Sequence, residues 1–137
     1  MKIKIIISLI FFSLLTTLSA QSTLVVEIAD LRNSEGNIAL ELLDKNNKTV
    51  KGLTQKIADK QCTIVIKDLK STEYAIRVFH DENSDDDIDM NFLGIPKEGV
   101  GLSNEAFGKF GPKKFEEWLF PYSEDTKVKI DMKYILK

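Results

Sequence analysis

Apolar and polar side chains alternate along this chain with a period of two, and that period narrows the choice of fold more than any other feature. Leu24, Val26 and Ile28 alternate with Val25, Glu27 and Ala29, and Ile38, Leu40 and Leu42 repeat the pattern after the turn Arg32-Asn33-Ser34-Glu35-Gly36-Asn37. A second polar turn, Asp44-Lys45-Asn46-Asn47-Lys48, precedes a weaker strand or strand-loop over residues 50–57. Ile64 and Ile66, then Tyr74, Ile76 and Val78, continue the series. Near the C-terminus Val128, Ile130, Met132, Tyr134 and Leu136 share one face, and Lys127, Lys129, Asp131 and Lys133 the other. Successive side chains of a strand point to opposite faces, whereas a helix brings back every third or fourth residue. Short alternating runs between polar turns predict an all-β fold, an antiparallel β-sandwich of about seven strands.

Residues 1–20 follow another rule. Lys2 and Lys4 precede an apolar run from Ile5 to Leu15, broken only by Ser8 and Ser13, and Thr16-Thr17-Leu18-Ser19-Ala20 supplies small residues ahead of Gln21. A positive start, a short apolar core and small residues before a cut site make a secretory signal peptide. The run is shorter than the ~20 residues a membrane span requires, so no transmembrane span is expected after signal cleavage. The expected organisation is a signal peptide over residues 1–20 and a single β-sandwich domain over 21–137, exported to the periplasm or the extracellular space. The chain carries 19 basic and 21 acidic residues; the acids concentrate in one loop while the lysines are scattered. That distribution predicts no basic patch for nucleic acid or for an anionic membrane. Cys62 is the only cysteine, which excludes an internal disulfide. Its strand context reads as a buried small apolar side chain, with a reactive or dimer-forming thiol as the alternative.

Site chemistry concentrates in His80-Asp81-Glu82-Asn83-Ser84-Asp85-Asp86-Asp87-Ile88-Asp89-Met90-Asn91. Asp81, Glu82, Asp85, Asp86, Asp87 and Asp89 are all acidic. Such self-repulsion is costly beside packed segments without a counter-ion. Calcium takes six to eight oxygen ligands at about 2.3–2.6 Å, and an acidic loop can wrap it when alternate side chains turn inward. On the EF-hand loop pattern, Asp81, Asn83 and Asp85 fall at positions one, three and five, the Asp87 carbonyl at seven and Asp89 at nine. Asp81, Asn83, Asp85, Asp87 and Asp89 are therefore the candidate ligands of a divalent cation, with calcium ahead of magnesium by ligand number. Position six, which favours Gly because the backbone turns left-handed, is Asp86; position twelve, the usual bidentate Glu, is Phe92. A completing oxygen must come from Asn91, Glu98, another loop or water. Ile88 is placed to anchor the loop to the core. The alternative is a solvated acidic turn.

Residues 91–123 form a long segment rich in glycine and aromatics. A short helix is expected over residues 112–119, with Pro112 in its first turn and Phe115, Trp118 and Leu119 on one face. These aromatics either close one end of the sandwich or form a ligand platform beside the acidic loop, with His80, Phe92, Phe110 and Trp118 as candidate residues for a protein, peptide or glycan ligand.

The run Tyr74-Ala75-Ile76-Arg77-Val78-Phe79-His80-Asp81-Glu82-Asn83, followed by Asp89-x-Asn91-Phe92-Leu93-Gly94-Ile95-Pro96-Lys97-Glu98-Gly99, Gly101-x-Ser103-Asn104 and Phe110-Gly111-Pro112, resembles a bacterial family catalogued as domain of unknown function 2141, frequent in Bacteroidetes. Members commonly carry Gly where this chain has Asp86. The resemblance implies a fold and an exported compartment rather than an activity. A looser likeness, through Leu69-Lys70-Ser71-Thr72-Glu73-Tyr74-Ala75-Ile76, is to transthyretin-like and carboxypeptidase-regulatory-like sandwiches, although their usual Pro-Gly turn is missing. Such sandwiches are often accessory or adhesive modules.

Three functions follow as expectations. The first is a non-enzymatic binding or accessory module with a calcium loop. The second is a metal-assisted hydrolase, using either a metal-bound water or a nucleophile-base set of His80 beside Asp81 with Ser103; no G-x-S-x-G or His-rich zinc motif supports it, so no catalytic residue is assigned. The third is a structural cell-envelope protein.

Overall fold

The period-two pattern becomes two packed sheets in the computed structural model, which describes residues 21–136. The signal peptide expected over residues 1–20 lies outside the described residues. Ten strands are present among those described: β1 Leu24–Ala29, β2 Asn37–Asp44, β3 Thr49–Lys56, β4 Cys62–Ile66, β5 Thr72–Asp81, β6 Gly99–Leu102, β7 Phe107–Gly108, β8 Gly111–Pro112, β9 Phe120–Tyr122 and β10 Thr126–Asp131. One sheet has the order β10-β1-β4; the other has the order β3-β2-β5-β6, with β9 also paired to β5; β7 and β8 form a separate ribbon. Leu24, Val26, Ile28, Ile64, Ile66 and Ile130 on one sheet meet Ile38, Leu40, Leu42, Ile76 and Val78 on the other in a single core. Each such buried aliphatic side chain contributes about 1.5–3 kcal/mol, which is what holds the sheets face to face. Cys62 is buried on the inner face of β4 and is unpaired, and burial pushes its thiol pKa up.

The expected antiparallel sandwich holds with one exception. β1 and β10 run parallel, from Leu24 beside Thr126 to Ala29 beside Asp131. Beyond β10 the chain leaves this sheet and bridges β6, where Val100 and Lys133 exchange backbone hydrogen bonds of 2.9 and 2.8 Å. One side of the sandwich is thereby closed by the C-terminal segment, which brings Tyr134 across to the end of β5.

The segment over residues 91–123 departs most from expectation, because it is not a connecting loop. It supplies β6 and β9, both paired with β5, and the ribbon β7–β8. Glycines in β6 hid this strand, since Gly is depleted in strands and marks close approach of a neighbour. A Cβ on Gly99 would stand 2.5 Å from the Tyr134 ring, and one on Gly101 would stand 2.5 Å from Ile130 Cγ2. The expected helix over residues 112–119 is only a 3₁₀ turn, Phe115–Glu117. Pro112 is instead paired with Phe107, and the Lys113 N–H donates to the Ala106 carbonyl at 2.8 Å, so the start of the presumed helix is used by the ribbon. Its end is held by the Asn104 amide, which donates to the Glu117 and Leu119 carbonyls at 3.3 and 2.7 Å. Phe115 and Trp118 still meet edge to face, with centroids 5.4 Å apart. No helix of the described residues is long and apolar enough to cross a membrane.

Candidate functional site

β5 carries the core pattern up to His80 and delivers Asp81 at its end, where the acidic loop begins. The loop folds by alternate carboxylates capping backbone N–H groups ahead of them. Asp81 Oδ1 and Oδ2 accept from the N–H groups of Asp85 and Asp86 at 3.2 and 3.0 Å. Asn83 Oδ1 accepts from the Asp85 N–H at 3.1 Å, and Asp85 Oδ1 from the Asp87 N–H at 2.9 Å. Asp86 takes the left-handed backbone, with φ of 63°, at the position where the turn favours Gly. The loop is tied to β2 by the Asn37 amide, which donates to Ser84 Oγ at 3.1 Å.

Three expected ligands converge. The Asn83 amide nitrogen donates to Asp85 Oδ2 at 2.8 Å and to Asp89 Oδ2 at 3.4 Å, so one NH₂ group bridges two carboxylates. Asp81 is buried at 3 % exposure at the base. The Asp87 side chain accepts from the Ile88 N–H at 2.8 Å. Of the candidates for a completing oxygen, Glu98 faces the loop. It is 4 % exposed, and its two oxygens accept from the N–H groups of Glu82 and Asp89 at 2.8 and 3.3 Å. Asn91 does not face it; its Oδ1 accepts from Leu93 and Ile95 N–H within its own turn, at 2.9 and 3.0 Å. Neither Asp81 nor Glu98 makes an ion pair among the described residues. No three His, Cys, Asp or Glu side chains among those residues already stand at metal-holding positions. Ile88 is half-buried and does not reach the core. It lines a 200 Å³ hollow with Ala39 and Phe79 on the outer face of the larger sheet.

Glu82 belongs to a different cluster. Arg32 Nε and Nη2 each donate to its carboxylate at 2.6 Å, and the Asn33 amide adds a bond of 3.1 Å. The Arg32 guanidinium, first by these hydrogen bonds and then by its charge, holds the Glu82 carboxyl below its ordinary range. Arg32 also lies 4.6 Å from the Tyr134 ring centroid. His80 is fully buried beneath this pair. Its Nε2 is 2.8 Å from the Glu35 carbonyl and its Nδ1 is 2.6 Å from the Tyr134 hydroxyl. A carbonyl only accepts, so Nε2 carries a proton, and Nδ1 shares a hydrogen bond with the Tyr134 hydroxyl. The Tyr134 hydroxyl in turn accepts from the Arg32 N–H at 3.2 Å, and burial pushes its pKa up.

The ligand platform is not a single surface. His80 has no exposed surface to offer. Trp118 is half-buried, and its indole N–H donates to the Lys113 carbonyl at 3.1 Å. Phe92 and Phe110, by contrast, are 95 % and 96 % exposed. The hydrolase set is not assembled either. Ser103 Oγ accepts from the Ile76 N–H at 2.9 Å and donates to the Trp118 carbonyl at 2.6 Å, while the His80 nitrogens are taken by Glu35 and Tyr134. Sequence reasoning left the Arg32–Tyr134 cluster unseen, because its members are distant in the chain and carry no motif.

No curated protein and no solved structure gives a significant match to this sequence. A family model described as "Uncharacterized protein conserved in bacteria (DUF2141)" matches residues 26–131, and the chain therefore belongs to the DUF2141 family.

Proposed function

We propose that this protein is an exported, non-enzymatic binding or accessory module whose acidic loop takes up a divalent cation, calcium before magnesium. One observation carries the reading. Asp81 and Glu98 are buried at 3 % and 4 % exposure without an ion-pair partner among the described residues. Buried carboxylates are ordinarily paired or bound to metal. Asp81, Asp85 and Asp89 with the Asp87 carbonyl offer oxygens of the kind hard cations take, Asn83 joins them once its amide turns Oδ1 inward in place of the NH₂ that now bridges Asp85 and Asp89, and Glu98 supplies the oxygen that Phe92 cannot. The non-enzymatic part rests on His80 and Ser103, whose polar atoms are consumed by structural hydrogen bonds.

The test is a thermal melt in chelator, then over a calcium series, with magnesium as comparator and Asp81→Ala/Asp85→Ala as control. Calcium at 100 times its dissociation constant adds about 2.7 kcal/mol, a rise of several degrees. A calcium-selective rise that the double variant loses is the expected result. An unchanged melt at millimolar calcium overturns the proposal and leaves the loop a solvated turn.

A further inference from the structure

Two tight turns carry fully exposed phenylalanines at their tips. The first is closed by the bridge between Met90 and Pro96 and by the Asn91 N–H, which donates to the Ile95 carbonyl at 2.9 Å. Phe92 at its tip is 95 % exposed, Leu93 68 % and Met90 52 %. The second is the β7–β8 hairpin, where Gly108 pairs with Gly111 and leaves Lys109 and Phe110 as the loop. Turn tips favour Gly, Asn, Asp and Ser, each for a backbone or hydrogen-bonding reason. Neither Phe92 nor Phe110 has a positive φ or an aromatic ring partner among the described residues. The Phe110 ring has only the Lys109 ammonium, 5.6 Å from its centroid, as a local partner, and no such contact accounts for Phe92 among the described residues.

The two turns belong to one face. Gly94, Ile95 and Pro96 from the first, and Phe107 with Phe110 from the second, line a common hollow of about 550 Å³. Lys109 borders it, and an adjoining hollow is lined by Lys109 and Lys133. None of the residues lining either hollow is acidic. Lys109 and Lys133 make no ion pair among the described residues, and Lys97 follows Pro96 directly. Lys109 and Lys133, distant in the sequence, thus meet beside the Phe110 hairpin and form a local basic edge that the scattered lysines of the sequence did not lead one to expect.

We infer that this face docks on the surface of an anionic lipid bilayer. Apolar tips enter the headgroup and acyl boundary while a lysine rim meets the anionic headgroups. A second copy placed face to face would set lysine rim against lysine rim. The membrane satisfies both the charge and the projecting shape. The Phe92 turn follows Asp89 directly, and the Lys97 N–H donates to the Asp89 carbonyl at 2.8 Å, so the chelator and calcium arms of the test separate this inference from the cation reading.

The experiment is vesicle flotation of the full protein, in chelator and in calcium, on phosphatidylcholine alone and on phosphatidylcholine mixed with phosphatidylglycerol. Binding is expected on the mixed vesicles. Phe92→Ser/Phe110→Ser should weaken it by roughly tenfold or more per aromatic, and Lys109→Glu/Lys133→Glu should abolish the preference for the anionic lipid. A local readout keeps these results separate from any anchoring by the N-terminal segment. Single Phe92→Trp and Phe110→Trp variants should shift their emission to the blue and be quenched by brominated lipid beyond the response of Trp118 in the parent. Lack of insertion at both tryptophans, in chelator and calcium alike, overturns the inference. So does a dimer in sedimentation that Phe92→Ser/Phe110→Ser dissociates, since the tips would then serve a second copy.

Discussion

Glu82 and Asp81 are adjacent carboxylates at the mouth of one loop, and their surroundings differ in kind. Glu82 meets the Arg32 guanidinium in a two-pronged pair, within a cluster that also includes Tyr134 and Asn33. Asp81, with Glu98 beside the loop, is buried deeper and receives only backbone N–H groups. The first region is electrically complete within the chain. The second has oxygens but no positive charge. An acidic run is therefore not one object: part of it is paired within the chain, and part is the buried carboxylate set on which the proposed cation reading rests.

The largest effect tests the root that both regions share. Gly36 has φ of 66°, and a Cβ there would fall 1.9 Å from the Asp81 carbonyl oxygen. The obstacle is backbone and cannot swing aside. Gly36→Ala should cost ~3–5 kcal/mol in denaturant unfolding and disturb both clusters. A near-neutral result would mean that the loop does not rest on this contact.

Next comes the uncompensated side. Asp81→Asn and Glu98→Gln keep an acceptor oxygen but remove a buried charge. In chelator each should cost ~1–3 kcal/mol, because the new NH₂ group faces one of the two backbone N–H donors that the carboxylate accepted from. Both should lose most of the ~2.7 kcal/mol that the cation reading expects from calcium at 100 times its dissociation constant in the parent. A calcium response as large as the parent's would show that these carboxylates matter for the fold alone.

Glu82→Gln should behave differently, destabilising by ~1 kcal/mol with or without calcium, a modest figure because Arg32 is partly exposed. The pair also sets an acid response. Arg32 lowers the folded-state pKa of Glu82, so the stabilisation is complete above the ordinary glutamate value and disappears as pH falls through the lower folded value. Glu82→Gln should flatten this acid limb in melts recorded across that range. An unaltered limb would assign the acid sensitivity to other groups.

The smallest expected change is at Asp87, whose side chain caps Ile88 while its carbonyl is the proposed ligand. Asp87→Ala should shift stability by less than about 0.5 kcal/mol and retain the calcium response. A response lost here as fully as in Asp81→Asn would show that loop charge, rather than a defined ligand set, governs binding.

Much of the sandwich was legible because alternation is a local property. The inner faces of β1, β2, β4, β5 and β10 follow directly from their apolar residues. β6 was not, because Gly99 and Gly101 carry no side chain to alternate, and their reason is the bulk of Tyr134 and Ile130 arriving from the far end of the chain. The helix expected after Pro112 failed for a related reason: its first residues hydrogen-bond to β7 and Ala106, partners that a helical spacing cannot register. In the loop, the order of oxygen-bearing residues was visible in sequence, whereas the choice of Glu98 over Asn91 depended on which of them β6 and the intervening turn carry back toward Asp89.

The sequence by itself determined the all-β class, the faces of the main strands and the acidic loop, since each is written in residues a few positions apart. Tertiary structure alone decided the parallel pairing of β1 with β10, the burial of His80 beneath Arg32 and Tyr134, the separation of Glu82 from Asp81 in electrostatic role, and the meeting of Lys133 with Lys109 beside the β7–β8 hairpin. All four depend on contacts between residues far apart in the chain, which exist only once the apolar faces have closed on each other.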